Sequence, residues 1–141
     1  MRNTQNTETM KIYRSILLNN GEEINNDNLG VSWSLWEEFA EHHANDINGS
    51  LGKEGFVIIE TEVNGNQVDW SNTLFAMETR KNEGEVVLNG GEIDYKVYMV
   101  EGIENIEEGQ AGHGYIGSND FEDYNDHYDG ELTKEDFFEI V

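Results

Sequence analysis

Two carboxylates stand two residues apart at the start of EGEVVLNGG, residues 83–91. Side chains alternate across a strand, so a strand here puts Glu83 and Glu85 on one face, roughly 6.6–6.8 Å apart. In bulk water the pair costs almost nothing. At an effective dielectric of about 20 the repulsion is roughly 2.5 kcal/mol, enough to raise one pKa by more than a unit. A protein that places such a pair in a cleft either has work for it or tolerates a defect. A second chemical group lies on KIYRSILL, residues 11–18, where Arg14 shares a strand face with Ile12 and Ile16. A guanidinium there needs a carboxylate partner or an anion to hold, and its planar fork suits phosphate. The third group is Ser32-Trp33-Ser34. Ser34 with Glu37 reads as an S-x-x-E capping box, whereas Ser32 has no such local task.

These groups need elements to position them. SLWEEFAEHHANDI is the clearest helix, with Trp36, Phe39, Ala40, His43 and Ile47 on one face and Asn48-Gly49 as its stop. Trp33 and Trp36 read as core residues. Phe56–Val63 is a strand by its β-branched content, closed at Asn64-Gly65. Residues 67–82 fit a strand followed by a short helix or an ordered loop. EGEVVL and EIDYKVYMV read as a hairpin around Asn89-Gly90-Gly91. Residues 11–100 are therefore an α+β domain with one long amphipathic helix inserted early.

Composition limits the partners. The 141 residues suit one domain, 36% of them are hydrophobic, and the formal charge is −22. Eight Lys and Arg against thirty acids exclude a basic surface for a phosphate backbone, so no direct nucleic-acid contact is expected. No cysteine is present, which removes disulfides and thiolate chemistry. No apolar run is long enough to span a bilayer, and MRNTQNTETM lacks the apolar stretch of a signal peptide, so a cytoplasmic protein is expected. Residues 1–10 read as a disordered end. Residues 101–141 carry thirteen acids and a single Lys134, and read as an acidic C-terminal segment ordered only in part, with a turn or two of helix in LTKEDFFEIV. No metal site is expected. His42 and His43 diverge by about 100° on a helix. Asn125–Asp136 has Gly130 at the sixth place of a calcium loop, but Asn125 and His127 at the first and third.

Tyr13-Arg14 on a first strand, G-x-S-W-S before an aromatic helix, and E-G-E-V-V-L before a glycine turn occur in that order over residues 11–100. In this the chain resembles the ADP-ribosyltransferases of the Arg–Ser–Glu class, toxin-like and phage-encoded enzymes that move ADP-ribose from NAD to a target. The resemblance implies a compact antiparallel-sheet core with NAD as substrate. It implies that Arg14 anchors the dinucleotide, with Tyr13 and Ser34 beside it, and that Ser32 holds Glu85 and the nicotinamide ribose in register. Glu85 would hydrogen-bond that ribose and stabilise the cation formed on it, and Glu83 would orient and deprotonate the nucleophile. Glu rather than Gln at the earlier position implies an arginine acceptor, on a host protein that the charge suggests is basic. The segment 72–82, with Leu74, Phe75 and Met77, would be the target-recognition loop, unless those side chains simply pack as a short helix. A reading from a different class is a non-catalytic acidic inhibitor, a DNA mimic covering the basic surface of a nucleic-acid-binding protein. It gives Arg14, Ser32 and Glu85 no shared task.

Overall fold

A computed structural model describes residues 9–117 and 130–140. Its centre is β3 (Gly55–Asn64), where Phe56, Val57, Ile58 and Ile59 are all buried, so both faces of this strand are covered. Around it lie β1 (Thr9–Leu18), β2 (Ser32–Ser34), β4 (Glu85–Val87), β5 (Glu92–Glu101) and β6 (Ala111–Tyr115). The six strands form one sheet in the order β4-β2-β1-β3-β5-β6, with every neighbouring pair antiparallel. Among the described residues three α-helices complete an α+β fold: α1 (Glu37–Leu51), α2 (Trp70–Thr79) and α3 (Lys134–Ile140).

Alternation along β3 divides the core in two. Phe56 and Ile58 meet Ala40 and Ala44 of α1, one helical turn apart and small enough to let the helix lie close to the sheet. Val57, Ile59 and Val63 face the larger cluster, which takes in Ile12, Trp33, Leu74, Met77, Val86, Leu88 and Phe137. No helix among the described residues is long and apolar enough to cross a membrane.

Several boundaries differ from the sequence reading. The hairpin expected around Asn89-Gly90-Gly91 does not form, because β4 pairs with β2 and β5 pairs with β3 and β6. Gly90 and Gly91 do take the positive φ of a tight turn, 113° and 106°. The chain then crosses the sheet instead of folding back. Asn89 N–H donates to the Gln67 carbonyl, and the Gly91 carbonyl accepts from Ile116 N–H. Turn chemistry sets the local bend, while burial of Val86, Val87 and Leu88 beside β2 and α2 selects the partner.

Helix α1 runs past Asn48-Gly49 to Leu51, and the stop falls at Gly52, whose φ of 68° suits a left-handed cap. Strand β1 begins at Thr9, with Met10 buried, so the last two residues of the expected disordered end belong to the sheet; residues 1–8 lie outside those described. The segment after Val100 is not separate from the domain. Strand β6 pairs along β5, and Ile103, Ile106, Ile116 and Phe137 all enter the main core. Average composition hid them, since Ile103 and Ile106 each stand alone among acids, Asn and Gly, and the acids outnumber the apolar anchors of the segment. Of the calcium-loop-like stretch Asn125–Asp136, residues 125–129 lie outside the described residues.

Candidate active site

Strands β1 and β2 are paired only at Tyr13↔Ser34. Beside that single pair lies a cleft of about 470 Å³, walled by Arg14–Leu17 of β1, Ser32–Ser34 of β2, Phe39 and His43 of α1, and Glu83 and Glu85. That volume falls in the range of about 300–1,000 Å³ typical of ligand sites.

Arg14 reaches across the gap. Its Nη1 donates to the Ser32 carbonyl at 2.5 Å. None of the carboxylates among the described residues comes within ion-pair distance of it, in a chain with thirty acids. The carboxylate partner that would have made Arg14 purely structural is therefore missing from these residues. Burial pulls its pKa below the ordinary value, yet a guanidinium stays charged at any physiological pH. The result is a cation on the cleft wall with donors to spare.

Gly30 makes the reach feasible. Its φ is +91°, and a Cβ placed there would lie 2.5–2.9 Å from the guanidinium atoms of Arg14. Gly30→Ala is expected to cost about 1–2 kcal/mol through the left-handed backbone, and to push Arg14 off the Ser32 carbonyl. Urea denaturation reads the first effect, and weakened binding of an anionic ligand reads the second.

Ser32 links the cation to the acid. Its Oγ donates to Glu85 Oε2 at 2.6 Å. The register pairs Ser32 with Val87 and Ser34 with Glu85, so this is a diagonal contact of the kind a long side chain makes on one sheet face. The other Glu85 oxygen, Oε1, accepts from Arg80 Nη2 at 2.9 Å, and the carboxylate side chain is only 12% exposed. Glu85 is thus fixed at both oxygens.

Glu83 reaches the site by a different route from the one expected. It belongs to a 3₁₀ turn, Lys81–Glu83, and Gly84 follows in the left-handed conformation, φ 58° and ψ 34°. Strand alternation therefore does not relate Glu83 to Glu85. Ser34 holds the turn instead: its Oγ donates to the Glu83 carbonyl at 2.8 Å and accepts from Trp36 N–H at 3.1 Å. The expected capping box with Glu37 is replaced by this bridge, because Ser34 sits in β2 and the helix starts only at Glu37. Gly84 also lies against Trp36, where a Cβ would come 2.9 Å from the ring.

Arg80 resolves the charge problem of the glutamate pair. Its Nε lies 3.7 Å from Glu83 Oε1 while Nη2 binds Glu85, so one guanidinium offsets both acids. The sequence signal was Arg80 itself, one of only eight basic residues and five positions before Glu85. Phe39 and His43, stacked at 5.8 Å and 20°, were expected on the core face of α1; they line the cleft. Tyr13 also lines it and packs edge-on to Tyr98 at 5.3 Å. Burial, then Glu60, Glu37 and Glu38, push its phenol above the ordinary range.

The apolar side chains of the expected recognition segment are largely inside, while residues 78–82 are exposed. Asp69 caps α2 by accepting from Asn72 N–H, Leu74 and Met77 are buried in the core, and Phe75 is half-buried. Of the two readings left open for these side chains, packing as a short helix is the one observed.

The chain matches no protein-family model, no curated protein and no solved structure.

Proposed function

We propose that this chain is a mono-ADP-ribosyltransferase of the Arg–Ser–Glu class, transferring ADP-ribose from NAD to an arginine of a protein, a host protein if the chain is phage-encoded. The observation that carries the reading is one connected chain of contacts along a single cleft. Arg14 binds the Ser32 backbone, and Ser32 Oγ binds Glu85. Residues 18 and 53 positions apart in sequence are held in hydrogen-bond contact.

The chemistry fits the groups. Arg14 supplies a charged guanidinium, with no carboxylate partner among the described residues, for the pyrophosphate. Breaking the nicotinamide–ribose bond builds positive charge on the ribose carbon, as in glycoside hydrolysis. Glu85, largely shielded from solvent, supplies the opposing charge, and Ser32 fixes its orientation. Glu83, more exposed at the mouth, is the acid available to take a proton from an incoming guanidinium, whose pKa above about 12 leaves it a poor nucleophile otherwise. The alternative of an acidic DNA mimic gives these contacts no purpose.

The test is incubation with NAD labelled in its adenylate, in the presence of a bacterial lysate and of a free arginine ester. Transfer of label to a protein band or to the ester is the expected result. Release of no nicotinamide under any of these conditions would end the enzyme reading.

A further inference from the structure

We propose that Arg80 is an internal acceptor, so that the chain ADP-ribosylates itself at this side chain. The proposal rests on the transferase reading above and goes beyond it by naming an acceptor. The geometry is that of an acceptor already seated. Arg80 Nη2 lies 2.9 Å from Glu85 Oε1, and Nε lies 3.7 Å from Glu83 Oε1. An arginine of another protein would need to place its guanidinium in this same position, against the same two carboxylates. Arg80 follows α2 directly and its side chain is 45% exposed, so it is held beside the two acids that line the cleft and not within the core. Glu85 binds Arg80 through one oxygen and Ser32 through the other, so the acceptor and the serine share one carboxylate.

The step balances without a further reagent. Glu83 takes one proton from the Arg80 guanidinium, and the neutral nitrogen forms a bond to the ribose anomeric carbon. The bond from that carbon to nicotinamide breaks, and the nicotinamide nitrogen leaves with the electron pair as the neutral base. The proton on Glu83 passes to solvent, and the modified guanidinium regains its charge. The attached ADP-ribose then lies at the mouth of the cleft, so each modified chain blocks its own site.

The test uses the full chain with adenylate-labelled NAD and no other acceptor, with free nicotinamide measured in parallel. Label is expected on the peptide containing Arg80 by tandem mass spectrometry, with a first-order rate that does not change on diluting the protein. In Arg80→Lys, which keeps a cation against Glu85, self-labelling is expected to fall to background. Nicotinamide release by the wild type with no label at Arg80, or a rate that falls with dilution, would overturn the proposal and leave the transferase reading standing. Absence of nicotinamide release even with arginine ester present would overturn both.

Discussion

Glu85→Gln is expected to lower nicotinamide release from NAD by about 10²–10⁴-fold, with the melting temperature held within a few degrees of the wild type. The amide matches the carboxylate in shape. It still accepts from Ser32 Oγ through one atom, and the packing around a side chain only 12% exposed is kept. Only the charge goes. In a partly dehydrated cleft a fixed negative charge beside a forming cation stabilises the transition state far more than it does in water. The ion pair with Arg80 is lost as well, but Arg80 is 45% exposed, so that loss costs little stability. Thermal melting and a nicotinamide assay on the same preparation separate the two quantities. A variant that melts much earlier, with activity falling only in proportion to the unfolded fraction, would make Glu85 a structural residue and remove the catalytic role.

What the sequence made legible followed from local chemistry. The alternating run around Arg14 and the β-branched Phe56–Val63 segment each appear as strands, and the aromatic helix appears between them. Their local signals agree with burial on both faces of the sheet. Strand order was not legible. The glycine turn at Gly90-Gly91 advertised a hairpin, but a three-residue β4 buries its valines only beside β2, and that preference depends on side chains far away in sequence. The same limit applied to the site. Arg14, Ser32 and Glu85 were identifiable by residue type and order, whereas Arg80 carried no motif and became visible only when a turn brought it between two acids. Glu83 was expected at the site on strand alternation, which the left-handed Gly84 interrupts; it reaches the cleft through the bridge that Ser34 makes to its carbonyl. The C-terminal segment shows the converse. Net charge argued for solvation, but single buried side chains such as Phe137, fully enclosed against Trp70, attach it to the core.

Arg14→Met is expected to move stability and ligand response in opposite directions. The wild-type guanidinium is largely buried, and its one hydrogen bond given by the structure goes to a backbone carbonyl, with no carboxylate partner among the described residues. Holding an unpaired charge away from water is unfavourable, and an apolar side chain of similar length removes that cost. Against this, the Ser32 carbonyl loses its donor, worth about 0.5–1.5 kcal/mol. The free variant is therefore expected to be as stable as the wild type or up to about 2 kcal/mol more stable. Affinity for NAD should fall roughly ten- to hundredfold, the value of a charge-assisted hydrogen bond of about 1.5–3 kcal/mol. Denaturation with and without NAD measures both terms at once. At a ligand concentration about 100 times the wild-type Kd, the wild type gains about 2.7 kcal/mol, and a variant binding about thirtyfold more weakly gains about 0.9 kcal/mol. A structural arginine would give the reverse pattern, with lower stability in the free protein and an unchanged response to NAD. The opposite signs arise because a binding site must hold, before its ligand arrives, a charge that the rest of the fold would be more stable without.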